Sequence, residues 1–208
     1  MHQTRQSTTT KLPIKRKGTK YIAVPLSHKK DSVPIVIAVR DMLKLAKTTR
    51  EVKQMINSKL LKLNGKPVKS HKESIKLFNI LEADKPYTLT LSPSQKFTLS
   101  HYLKKDARIC KVLNKKLRPK AQVQLNLHDG TNVLSEEEVK INDSVQLDFS
   151  GKIKSIIKLD KGSNIFVFSG KYAGQEGKVE SLNEKSASVK LKNKEEMVEL
   201  PLSIIIAQ

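Results

Sequence analysis

Positive charge in this chain is crowded into its first 120 residues, and that asymmetry limits what the chain can fold into more than any other feature. Residues 1–30 hold eight Lys and Arg and no acid; residues 31–120 hold 21 basic and 7 acidic residues; residues 121–208 hold 11 and 13. The formal charge of the 208-residue chain is +20. Self-repulsion on this scale requires a polyanion next to the first 120 residues, either nucleic acid or an anionic membrane. The remainder reads as a near-neutral module with another emphasis.

Several classes are set aside at once. The longest apolar run, Val33 to Val39, is too short to span a bilayer. The basic segments lack an exposed apolar helix face, so no membrane partner is expected. The N-terminus shows no apolar secretory segment, and a soluble intracellular protein is expected. Cys110 is the only cysteine, which excludes an internal disulfide framework or a Cys-based zinc site and fits a reducing compartment. Trp is absent and aromatics make up 4%, so the cores are modest.

Four parts follow along the chain. Residues 1–34 read as a basic arm that orders only against a partner, because no local core offsets its backbone entropy. Lys15, Arg16, Lys17 and Lys20 are its candidate phosphate ligands. Residues 35–92 read as two helices and a hairpin. Ile35, Val36, Val39, Met42, Leu43 and Ala46 predict an amphipathic helix over 35–47, with Arg40, Lys44 and Lys47 on the opposite face. Thr48 and Glu51 form a capping box that opens a second helix, with Val52, Met55 and Ile56 inward and Arg50 and Lys53 outward. Asn64-Gly65 then predicts a tight hairpin, flanked by Lys59, Lys62 and Lys66, and 84–91 reads as a further strand.

Residues 93–157 read as a central β-domain. Ala121, Val123, Leu125 and Leu127 alternate with polar residues, Asp129-Gly130 turns the chain, and Val145, Leu147 and Phe149 alternate again. Residues 158–208 offer five short strands around a glycine-rich loop, as in an SH3-like barrel. The fold class expected is therefore α+β and multidomain.

Two constellations carry the binding chemistry. Cations on one surface of the helix pair and arm neutralise phosphates, which dominates nucleic-acid affinity. In the loop, Gly170, Gly174 and Gly177 permit close approach, while Lys171, Tyr172 and Lys178 can meet phosphate and base. A nucleotide-cradling loop needs GK[ST] opening a helix, whereas Gly177-Lys178-Val179 opens a strand. His128-Asp129-Gly130 reads as a turn rather than a metal site, because His2, His28, His71 and His101 show no ligand spacing. Glu136-Glu137-Glu138 reads as a solvated loop. No cofactor, metal, small-molecule substrate or catalytic set is expected.

A resemblance sharpens this. The run Pro13-Ile14-Lys15-Arg16-Lys17-Gly18-Thr19-Lys20-Tyr21 and the segment Gln124-Leu125-Asn126-Leu127-His128-Asp129-Gly130-Thr131-Asn132 resemble the archaeal and eukaryotic-type family of small-subunit ribosomal protein four. Val39-Arg40-Asp41-Met42-Leu43, Thr49-Arg50-Glu51 and Leu63-Asn64-Gly65 are similar to the RNA-binding domain shared with pseudouridine synthases and tyrosyl-tRNA synthetases, and 170–179 looks like a KOW motif. The resemblance spans almost the whole chain. It implies a non-enzymatic constituent of the small ribosomal subunit, in the cytoplasm, with small-subunit ribosomal RNA and neighbouring ribosomal proteins as partners. It also implies that Arg50 and Lys53 touch RNA and that Asn64-Gly65 presents the hairpin. Lys59 stands where the family usually ends the second helix with a glycine, and because a non-glycine in a left-handed cap is mildly strained, a locally different helix exit is expected. The residues alone also admit a free RNA-binding factor or the targeting module of an RNA-modifying enzyme.

Overall fold

The computed structural model describes residues 2–102, 107–119, 122–135, 137–192 and 197–208. Ala121 and Glu136 of the segments above lie outside these. The chain forms two compact units, Met1–Lys105 and Asp106–Gln208. Among the described residues it is mostly β, with two short α-helices, so the helical share of the expected α+β fold is smaller than the periodicity suggested.

The first unit begins with β1 (Gln3–Thr4) paired to β2 (Tyr21–Ile22). The segment expected to lack structure of its own is thus folded back on itself. The Arg5 guanidinium is the reason: it donates to the carbonyls of Lys15 and Thr19, while Leu12 is buried and the Phe97 amide donates to the Lys11 carbonyl. Next, β3 (Ser32–Pro34) leads into α1 (Ile35–Ile37) and a π-turn over Ala38–Met42. The expected helix over 35–47 is corrected here. Ile35 to Val39 are all at most 1% exposed, so this turn is enclosed on every side and has no solvent-facing stripe. The Leu43 amide donates to the Ala38 carbonyl, five residues back, and Lys44 turns left-handed at φ 58°, which ends the helix.

The second helix, α2 (Thr49–Asn57), starts where its cap predicts. Thr48 Oγ1 accepts from the Glu51 amide at 3.2 Å, and the Glu51 carboxylate accepts from the Lys47 amide at 2.8 Å. It ends in a Schellman arrangement: the Leu60 amide donates to Met55 O and the Lys59 amide to Ile56 O, with Lys59 at φ 56°. A β-carbon in that conformation is strained. Lys59→Gly is expected to raise stability by about 0.5–1 kcal/mol in urea unfolding, and a loss would show that the lysine side chain holds the exit.

Strands β4 (Lys62–Leu63), β5 (Lys66–Pro67), β6 (Ser74–Lys76), β7 (Ile80–Glu82), β8 (Pro86–Leu91) and β9 (Phe97–His101) complete the unit. Five of them form an antiparallel sheet in the order β5-β4-β7-β8-β9, and β6 pairs with β3. The expected boundary at 92/93 falls within the hairpin that joins β8 to β9. Leu61, Ile75, Ile80, Leu81 and Leu89 fill the core with Ile35 and Ile37.

The second unit opens on β10 (Arg108–Leu117), whose first half pairs with β13 (Ser144–Leu147) and whose second half pairs with β11 (Val123–Leu127). With β12 (Asn132–Ser135) and β14 (Ile153–Ile157) the order is β12-β11-β10-β13-β14. β13 stops at Leu147, so Phe149 lies in the following turn rather than in the strand. Then come β15 (Asn164–Val167), β16 (Glu176–Leu182), β17 (Ser186–Leu191), β18 (Met197–Pro201) and β19 (Ile205–Ala207), ordered β18-β17-β16-β15-β19. The two outer strands of this sheet are separated only by a 3-10 turn at Leu202–Ile204. A sheet whose edges are that close in sequence has to curl, and Ile165, Val167, Val179, Val189 and Leu191 fill its concave side.

Candidate nucleic-acid interface

In the first unit, α2 buries Val52 and Ile56 and leaves Arg50 and Lys53 exposed to solvent. Lys47, Lys59, Lys62 and Lys66 are also exposed. Lys62 and Lys66 flank a two-residue turn in which Asn64 and Gly65 have φ 51° and 77°, the type I′ geometry that suits the twist of a hairpin. Asn64 is fixed from both sides: its side-chain oxygen accepts from the Ile80 amide at 2.9 Å, and its amide donates to the Ile80 carbonyl at 2.8 Å. His71 reports the local field. Partial burial, with the charges of Lys53 and Lys72, holds its imidazole below the ordinary value.

The N-terminal segment contributes a second cluster. Lys15, Arg16, Lys17 and Lys20 are exposed. Lys15 and Lys17 share a cleft of about 600 Å³ with Arg40 and Lys44. Arg5 lines it too, a residue that sequence reading counted only as charge. Arg40 is already engaged: its guanidinium grips Asp41 at 2.8 and 3.0 Å and donates to Thr49 Oγ1 at 3.1 Å. That hydrogen bond to Asp41 keeps the guanidinium firmly charged against the opposing effect of burial. Because the helix ends at 42, Arg40, Lys44 and Lys47 do not form the expected stripe. A neighbouring cleft of about 530 Å³ joins Thr8, Thr9 and Thr10 to Lys15, Arg16 and Lys96. Lys96 was not singled out from the sequence, because only the return of the chain beside Lys11 brings it there.

The glycine-rich loop belongs to the second unit. Lys171 and Lys178 are exposed. Lys171 Nζ lies 5.8 Å from the centroid of the Tyr172 ring, and that ring packs partly against the core. Gly170 and Gly174 are both left-handed. Gly177 is needed for closeness: a Cβ there would sit 2.6 Å from the Lys190 carbonyl oxygen of the paired strand.

The His-Asp-Gly turn is structural. Asp129 Oδ2 lies 3.0 Å from Arg108 Nη1 in a buried pair, and Asp129 Oδ1 accepts from the Thr131 amide at 2.9 Å. Burial pushes the Asp129 carboxyl up, but Arg108 and the Thr131 hydrogen bonds outweigh it and hold it below the usual range. His128 Nδ1 accepts from the Lys111 amide at 3.1 Å. The fully buried Lys111 ammonium donates to the carbonyls of Leu202 and Ser203, and burial lowers its pKa to about 8. Among the described residues no three His, Cys, Asp or Glu side chains converge as metal ligands.

The profile described as Ribosomal family S4e matches residues 83–153. Small ribosomal subunit protein eS4 of Methanocella arvoryzae is 32% identical over 177 residues, covering 82% of this chain and 76% of the relative. The protein of the same description from Archaeoglobus fulgidus is 30% identical over 187 residues, covering 87% and 80%. The crystal structure of the 30S ribosomal protein S4e from Thermoplasma acidophilum superposes with a TM-score of 0.72 at 23% identity, covering 86% of this chain and 95% of that one. With the fold shared and identity of this extent over most of both chains, this chain belongs to the family of small ribosomal subunit protein eS4.

Proposed function

We propose that the chain is a structural, non-catalytic constituent of the small ribosomal subunit that binds ribosomal RNA and packs against neighbouring ribosomal proteins, in the cytoplasm. The observation that carries the RNA-binding part is the set of exposed cations around α2, the Asn64-Gly65 hairpin and the N-terminal segment, all within the first unit. Here Lys15, Arg16, Lys17, Lys20, Lys44, Lys47, Arg50, Lys53, Lys59, Lys62 and Lys66 are the proposed phosphate ligands, and Arg40, Asn64 and Gly65 shape the surface between them. Phosphate neutralisation supplies affinity, and the shape of the surface selects the RNA.

In the second unit the curled sheet over 158–208 is read as an SH3-like KOW barrel, with Gly170, Lys171, Tyr172, Gly174, Gly177 and Lys178 as its RNA-facing loop. The rest of the four-part division is proposed as a basic segment over 1–34, an RNA-binding module over 35–92 and a central β-domain over 93–157, with β9 joining the sheet of the RNA-binding module across the 92/93 boundary. Membership of the eS4 family favours a structural ribosomal constituent over a free RNA-binding factor or an enzyme-targeting module. No helix among the described residues is long and apolar enough to cross a membrane.

His71 gives a direct test. It sits beside Lys53 and Lys72, which depress its pKa once burial has done so. Phosphates docked on these lysines cancel that field, so the His71 pKa is expected to rise when a short RNA hairpin is added to the full chain in an NMR titration. An unchanged His71 value in a saturated complex would place the phosphates elsewhere.

A further inference from the structure

The cleft between the N-terminal segment and the π-turn has a make-up that phosphate binding alone does not require. Its lining is cationic at Arg5, Lys15, Lys17 and Lys44, but also apolar and aromatic at Ile14, Tyr21 and Ile22. Tyr21 is 54% exposed, and no other Tyr or Phe among the described residues is as open. Lys20 Nζ lies 5.5 Å from its ring centroid, and His2 meets the ring edge-to-face at 5.3 Å. The cleft is also lined by a carboxylate, Asp41, held in place by the side-on grip of Arg40, and by the hydroxyl-bearing Thr19 and Thr49.

A bare phosphate gains nothing from the ring and is repelled by Asp41. A nucleoside uses all three parts: its base stacks on Tyr21, its ring or exocyclic N–H groups donate to Asp41, and its phosphates meet the lysines. At about 600 Å³ the cleft has the size of a small-ligand site and excludes a duplex. We infer that this cleft receives one unstacked nucleotide, a bulged or loop base turned out of a ribosomal RNA helix. The inference rests on the RNA-binding reading above and adds the class of RNA element that is recognised.

The test compares two probes on the unaltered full chain: a short RNA duplex, and the same duplex carrying a single bulged fluorescent adenine analogue. The bulged probe is expected to bind about tenfold more tightly, as one base stacked on an aromatic ring provides, with its fluorescence quenched on binding. Tyr21→Phe keeps both effects. Tyr21→Leu, which retains apolar bulk in β2, loses the preference and the quenching while still binding the plain duplex. Equal affinity for the two probes, or a preference that survives Tyr21→Leu, overturns the nucleotide pocket and leaves phosphate binding standing. Absence of salt-sensitive binding to both probes overturns the RNA-binding reading itself.

Discussion

Asp129→Ala is expected to lower the stability of the second unit by about 3–5 kcal/mol, the cost of leaving a buried charge without its partner. Arg108 is 7% exposed and its Nη1 lies 3.0 Å from the Asp129 carboxylate. Its Nε has no hydrogen-bond partner among the described atoms, and its Nη2 reaches only the neutral Thr131 Oγ1 at 3.5 Å, a long contact that offsets little of the loss. The same carboxylate also holds the Thr131 amide and so shapes the β11–β12 turn. A double variant separates these roles. Asp129→Ala with Arg108→Met removes both charges and is expected to recover most of the loss. An unrecovered double variant would assign the effect to the turn. Hydrogen exchange of the β10 and β11 amides under urea reads the unit directly. The pH dependence has a definite sign. A carboxyl held below its unfolded value of about 4 contributes stability that is present above that pH and lost as pH falls through the folded value. The acid-side loss is therefore steeper in the unaltered chain than in Asp129→Ala.

The second large effect is on RNA affinity. If six to ten phosphates are neutralised, affinity falls by about 10³–10⁵ between roughly 50 and 200 mM salt. Replacing Lys15, Lys17 and Lys44 together by glutamine removes three charges from the lining of one cleft. The slope of log affinity against log salt is then expected to become shallower by about 2–3, close to one per lysine. Anisotropy titrations of a ribosomal RNA hairpin at several salt concentrations measure it. An unchanged slope in the triple variant would move the phosphate footprint off the N-terminal cleft.

Signals confined to a few adjacent residues were legible in the sequence. The Thr48 cap with Glu51, the Asn64-Gly65 turn, the alternation through Val123–Leu127 and the five short strands after residue 158 all mark elements that the structure contains. Each depends on a local hydrogen bond or on the alternation of side chains across a strand. The failures share a different cause. The run from Ile35 to Val39 mimics a helical stripe, but its burial on all sides depends on elements further along the chain, among them α2, the segment His71–Glu73 and strand β9, and no local period encodes that. The N-terminal fold hangs on Arg5 reaching carbonyls ten and fourteen residues away. Of the candidate site, the cations themselves were readable. Their grouping was not: Lys44 joins Lys15 and Lys17 because the helix stops early, and Arg40 turns to Asp41 instead of outward.

The central claim is that this chain is an integral part of the small ribosomal subunit. Sedimentation of a native lysate through a high-salt gradient, with this chain detected in each fraction, tests it most directly. The proposed phosphate contacts, together with the proposed contacts to neighbouring proteins, are expected to keep the chain with small subunits through about half-molar salt. A chain found instead at the top of the gradient at that salt, with the subunits otherwise intact, would contradict the account and make it a transient RNA-binding factor.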